Sequence, residues 1–169
     1  MKAINRGFFI SAAVSAAVVF VISSIYMEDV RPAVAVLFGL ILASVIQVLT
    51  QYFTDTKHKP VQEIAEATQT GPATTILAGF SVGLESTVWS LIIIVGAVVG
   101  AFLLGDTTAE RLYFISLTGM GMLTTVGVIV SMDTFGPISA NAQGIAEMSG
   151  EFEGKPAKIL GGLDAIGNS

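Results

Sequence analysis

A chain of 169 residues that is 53% hydrophobic and only 12% charged carries more apolar surface than a soluble domain of that size can hide, since such domains average near 25% charged. Its mean hydropathy is +0.77. With no cysteine, neither a disulfide framework nor a Cys-ligated metal is open to it, and a net charge of −5 leaves no basic patch for nucleic acid.

The expected fold is all-α: a polytopic transmembrane helix bundle with four spans and the start of a further one. Each span takes about 20 apolar residues. The apolar runs cover about 5–26, 32–53, 74–104 and 112–132. Lys2 and Arg6 precede the first run in the manner of a secretory signal. The run is nevertheless longer than the usual 7–15-residue apolar region of such a signal and lacks a clear cleavage site, so it reads as a span.

Cationic loops resist translocation. Lys2, Arg6, Lys57, Lys59, Lys155 and Lys158 fall on one side of such a bundle, against Arg31 and Arg111 on the other. Both ends are therefore expected to be cytoplasmic, with cytoplasmic segments 54–72 and 133–162. In the first of these, Pro60 opens a short helix with Val61, Ile64, Ala65 and Thr68 on one face, which Gly71–Pro72 ends. A second such helix is expected to begin at Pro137, with Ile138, Ala142 and Ile145 on one face, and to end near Gly150.

Small residues line several spans. Gly79/Gly83 and Gly96/Gly100 are GxxxG pairs, and Ser11, Ala12, Ser15 and Ala16 share a face. Lipid gives helices no hydrophobic reason to associate, so flat faces of this kind serve close backbone packing.

Glu85 interrupts the third run about twelve residues in, ~18 Å at 1.5 Å per residue. An acid at the middle of a span costs roughly 2.5–3.5 kcal/mol or more, so it faces a donor, a cation or a cavity, or is protonated. It reads either as an ion-pathway carboxylate or as a group satisfied by a neighbouring helix, and Ser81 and Trp89 share its face. Asp133 stands at the end of the fourth run, as a polar boundary residue or as one member of a set with Asn141, Gln143 and Glu147. Oxygen-bearing groups at a membrane mouth can hold hydrated Mg²⁺ and a phosphate ligand. His58, the only histidine, lies between two lysines and reads as solvated. No P-loop, G-x-S-x-G or H-E-x-x-H pattern occurs.

Three segments carry a resemblance: Tyr52–Glu85 (YFTDTKHKPVQEIAEATQTGPATTILAGFSVGLE), Asp133–Gly150 (DTFGPISANAQGIAEMSG) and Leu163–Asn168 (LDAIGN). Together they resemble the membrane-bound pyrophosphatases, pumps that couple pyrophosphate hydrolysis to proton or sodium transport. The resemblance implies a parent of roughly fifteen or more spans, far beyond what 169 residues hold at about 20 per span. It also implies that this sequence corresponds to the later-middle part, that the substrate is pyrophosphate with Mg²⁺ as cofactor, and that the partner is a second identical chain in a homodimer. It places Asn168 beside pyrophosphate and matches Asp133, Gly136, Pro137, Asn141, Glu147 and Asp164 to motifs near the site. The motifs assign neither H⁺ nor Na⁺, and leave K⁺ undetermined.

Two departures bear on chemistry. The family reads G-P-I-S-D-N-A-G-G-I-A-E-M, with the Asp a metal ligand, and this chain has Ala140 there and Gln143 in place of a Gly. Residues 158–162 also lack the family's usual Arg, Thr and Asp. The leading expectation is a segment of an ion-translocating inorganic pyrophosphatase, inactive alone. The alternative is a non-enzymatic packing or channel-forming membrane protein derived from that family. Asp133, Asn141 and Asn168 favour the first, and Ala140 favours the second.

Overall fold

The computed structural model describes residues 2–150 and 153–167. Among them every regular element is helical: α1 (Lys2–Ile22), extended by a π-helical turn (Ser23–Met27), α2 (Arg31–Thr54), α3 (Lys59–Ala67), α4 (Pro72–Leu103), α5 (Thr108–Leu123), α6 (Val126–Met148) and α7 (Gly154–Gly167). Four helical stretches are long and apolar enough to cross a membrane, and the chain is an all-α polytopic bundle.

Local chemistry sets the helix starts. Pro32, Pro60 and Pro72 sit in the first turns of α2, α3 and α4, where the missing N–H costs nothing and the fixed φ is already helical. Thr107 and Glu110 close a reciprocal capping box on α5.

Helix α2 is the hub, packed against α1, α4 and α5. On one side Ala12, Val36 and Leu40 form a small core; on the other Ala35, Ala101 and Phe114 form a second. The closest crossing is between α2 and α5. A Cβ on Gly39 would run into the Thr118 carbonyl and lie 2.7 Å from the Met122 nitrogen, and one on Gly121 would meet the Val36 backbone. Beside this crossing the buried Thr118 hydroxyl donates to the Ala35 carbonyl at 2.9 Å, joining the two helices. The GxxxG pairs of α4 behave differently. Nothing lies within 4 Å of a Cβ on Gly79, Gly83 or Gly96, and only Gly100 touches a neighbour, the Phe38 ring.

One sequence expectation is corrected here. No separate helix begins at Pro137: after a two-residue interruption at Thr124–Thr125, α6 runs unbroken from Val126 to Met148 with Pro137 inside it. A proline removes its own N–H from the ladder and sets its ring against the carbonyl four residues back, so the Asp133 carbonyl loses its usual partner, while the missing side chain of Gly136 leaves room on that turn for Gly167. From Asp133 to Met148 the helix continues for about 24 Å at 1.5 Å per residue. There α7 folds back along it, the turn using positive φ at Gly150 (72°) and Gly154 (71°).

At the opposite end, Arg31 ties the α1–α2 turn to the α4–α5 turn. Its guanidinium pairs with Asp29 at 2.9 Å, Asp106 at 3.1 Å and Glu110 at 3.9 Å. The Arg31 backbone N–H, followed by its side chain, holds the Asp29 carboxyl below the ordinary carboxylate range. A lowered folded value contributes stability above the unfolded value of about 3.9 and loses it as pH falls through the folded one. The Arg31 amide is thus expected to keep its hydrogen-exchange protection at neutral pH and to lose it below about pH 4. Asp29→Asn removes that pH dependence, and an unchanged profile in the variant counts against the tie.

Candidate functional site

The polar end of the bundle holds a cavity of about 310 Å³ between α1, α2, α6 and the end of α7. Asp133, Gly136 and Pro137 line it from α6, Gln47, Thr50 and Gln51 from α2, and Gly167 closes it from α7. Phe8, fully buried, forms part of the apolar wall. Gln47 and Gln51 are one helical turn apart and so project to the same side of α2. With Thr50 they bring amide and hydroxyl groups to the cavity, and Pro137 leaves the Asp133 main-chain carbonyl without its helical donor.

Hydrogen bonds extend from this cavity toward the α2–α3 turn. Asn5 Nδ2 donates to Gln51 Oε1 at 3.0 Å, tying α1 to α2, while the Asn5 Oδ1 atom is buried without a partner. The Lys57 backbone N–H donates to Asp55 Oδ1 at 2.9 Å. That bond, the nearby His58 and Lys57 charges and a hydrogen bond from Gln51 together hold the Asp55 carboxyl below its usual range.

The α6–α7 approach is also close. A Cβ on Gly167 would lie 2.5 Å from Ser139 Oγ and 2.7 Å from Gly136 Cα, and the buried Ser139 hydroxyl donates to the Gly136 carbonyl at 2.9 Å. Only residues without a side chain allow this contact, which seats the end of α7 against the turn of α6 that follows Asp133.

The expected site residues therefore separate. Asp133 lies at the cavity. Asp164 is half-buried on α7, one turn before Gly167, and Asn168 falls outside the described residues. Asn141 and Glu147 are exposed further along α6, with Gln143 Nε2 donating to Glu147 Oε1 at 2.8 Å. Asp133, Ala140 and Glu147 recur every seven residues and share a face, at intervals of about 10 Å. Glu85 is elsewhere, on the exposed side of α4 with Ser81 and Trp89, and among the described residues no ion pair or hydrogen bond reaches it.

Sequence reading passed over Gln47, Gln51 and Asn5, which lie within apolar runs. The signal was present: two glutamines at i and i+4 put paired amides on one face of a spanning helix, an arrangement that is costly unless it meets a cavity or a polar neighbour.

Mg²⁺ takes near-octahedral oxygen, typically one or two carboxylates completed by water and phosphate oxygens. The cavity offers a single carboxylate, Asp133, with the Ala140 methyl at the next position along that face. Among the described residues no group of three acids, histidines or cysteines comes together. By themselves the described residues do not fit a Mg²⁺ site.

Four helical stretches long and apolar enough to cross a membrane, with a carboxylate at the edge of a cavity between three of them and α7, define an integral membrane protein. The family model described as inorganic H+ pyrophosphatase matches residues 1–169. Among curated relatives, the K(+)-insensitive pyrophosphate-energized proton pump of Streptomyces coelicolor is 49% identical over 191 aligned residues, covering 100% of this chain and 24% of the pump. The pump of the same description from Chloroflexus aurantiacus is 42% identical, covering 100% and 23%. The putative K(+)-stimulated pyrophosphate-energized sodium pump of Clostridium tetani is 37% identical, covering 99% and 25%. The chain belongs to the inorganic H+ pyrophosphatase family, and it spans about a quarter of the length of the curated relatives it matches.

Proposed function

We propose that this chain forms one wall of the pyrophosphate site of an ion-translocating membrane pyrophosphatase, together with the outer face through which that wall meets the rest of the pump. The observation that carries the reading is the convergence of Asp133, Gly136 and Pro137 with Gly167 on one cavity. These are the residues of the two motifs, and the next residue along the chain is Asn168.

In this reading the Gln47 amide and the Thr50 hydroxyl are donors for phosphate oxygens, and the Gly136–Gly167 contact brings the end of α7 to the cavity wall. Asp133 repels an anion at contact distance, so it acts on a cation that stands between them or on attacking water. Any Mg²⁺ there would be held chiefly by pyrophosphate, water and segments outside the matched quarter and would supply charge neutralisation, and the transported ion is H⁺ or Na⁺. Phosphoryl transfer of this kind depends on positioning and charge neutralisation rather than on covalent chemistry, so a single wall binds weakly and does not turn over.

Helix α4 supports the same reading from the outside. An ionised Glu85 turned toward hydrocarbon costs several kcal/mol, about 2.5 or more, and its Gly79 and Gly83 have no neighbour within 4 Å. The faces of α4 that carry Glu85 and the Gly79–Gly83 pair point in different directions, and each is therefore covered by protein in the membrane, by a further span or by the second chain of a homodimer. Both ends lie on the cytoplasmic side, following the lysine and arginine asymmetry.

The isolated chain, reconstituted in vesicles, is expected to insert and to release no phosphate from Mg²⁺-pyrophosphate above a heat-treated control. Measurable release would show that 169 residues contain a complete site, and the reading as one wall would fail.

A further inference from the structure

We infer that the outer groove between α1 and α2 is a binding site for an anionic phospholipid, with one acyl chain in the groove and the headgroup on the cations at its Tyr52 end. Two adjoining open depressions of about 540 and 290 Å³ share Phe9, Ser44 and Val45, so they form one shallow groove along the antiparallel pair. Ala12 and Ala16 keep its floor low, while Phe9, Leu37, Val45 and Tyr52 wall it. The Ser44 hydroxyl in it is already committed to the Leu40 carbonyl at 2.8 Å. From Leu37 to Tyr52 the groove follows α2 for about 22 Å at 1.5 Å per residue, more than half of the ~30 Å hydrocarbon thickness. One leaflet is half of that thickness, ~15 Å, so an acyl chain entering at Tyr52 fills the part of the groove nearer that end.

Charge orients the occupant. Exposed Arg6 lies one turn before Phe9, and exposed Lys57 and Lys59 follow Tyr52. His58 places its ring 5.3 Å from that of Tyr52, with a buried Nδ1 that has no partner. No ion pair holds these cations among the described residues, and Asp55, the nearest acid, is engaged by the Lys57 backbone N–H and by Gln51. At the far end of α1 and α2 the only cation of the turn, Arg31, is already paired with Asp29 and Asp106. An acyl chain gains nothing by leaving bulk lipid for an apolar groove, so any selectivity must come from the headgroup. Basic residues at the surface supply it for anionic lipids.

The test places a tryptophan in the groove of the full chain, Val48→Trp with Trp89→Phe, in phosphatidylcholine vesicles. Its fluorescence is quenched by equal mole fractions of brominated phosphatidylglycerol or brominated phosphatidylcholine. Phosphatidylglycerol is expected to quench several-fold more effectively, and Arg6→Gln/Lys57→Gln/Lys59→Gln to abolish the difference. Native Trp89 on α4 is expected to show no such difference. Circular dichroism checks that each variant remains helical, and native mass spectrometry of the chain without the tryptophan changes, with and without the three glutamines, repeats the comparison on an unaltered groove. Equal quenching by both lipids, or a preference that survives the three glutamines, overturns the proposal. Protection from both lipids does so too, showing that another part of the protein or a second copy covers the groove.

Discussion

Gly39→Val is expected to separate α2 from α5 and to cost about 3 kcal/mol or more, at the upper end of what overpacking does in a close-packed interior. At this crossing the added atoms meet backbone, the Thr118 carbonyl and the Met122 nitrogen, which cannot rotate aside as a flexible side chain can. Separation also removes the Thr118–Ala35 hydrogen bond, a bond of a kind worth about 0.6 kcal/mol on average between membrane helices. Gly121→Val acts from the other side, against the Val36 backbone. Gly79→Ala and Gly83→Ala provide the contrast. Each has open space around its Cβ position, and alanine is favoured over glycine inside a helix by about 1 kcal/mol, so the isolated chain should be unchanged or slightly more stable. Titrating the vesicle-reconstituted variants with a denaturing detergent, followed by circular dichroism, checks both. Equal loss of stability at Gly39 and Gly79 would mean that the α2–α5 crossing is not where the bundle is held.

This contrast shows what local sequence can carry. The spans were legible because hydrocarbon imposes a length and a composition on any helix that crosses it, and the start of α3 was legible because Pro60 has a position-specific preference. The helix contacts were not. The GxxxG pairs on α4 drew attention because two glycines share a face, yet the tight crossing uses Gly39 and Gly121, single glycines on different helices. Their pairing depends on how α2 meets α5, which no short window records. Pro137 misled for the opposite reason. Its local rule is to end or kink a helix, but a continuous α6 loses only one hydrogen bond and gains the α6–α7 contact at Gly136 and Gly167.

The candidate site was half legible. Motif resemblance marked Asp133, Gly136 and Pro137, and these do line the cavity, while Asn141 and Glu147 lie beyond it along α6. The α2 amides, Gln47 and Gln51, were hidden in a run that reads as apolar when averaged, though their spacing of four residues is visible to a face-by-face reading.

Ala140 is where ancestry and chemistry part. It shares a face with Asp133 and Glu147 at two-turn spacing, and the family motif has an aspartate there, so Ala140→Asp restores a row of three carboxylates along α6. The direct measurement replaces the aligned quarter of the Streptomyces coelicolor pump with this chain and assays Mg²⁺-dependent pyrophosphate hydrolysis in membranes, with alanine or aspartate at position 140. Because losing even an outer partner of a metal site costs about 10- to 100-fold in metal affinity or activity, Ala140→Asp is expected to raise hydrolysis by about that factor and to lower the Mg²⁺ concentration needed. Equal hydrolysis and equal Mg²⁺ dependence in the two chimeras, at equal membrane abundance, would contradict the placement of α6 as a wall of the pyrophosphate site.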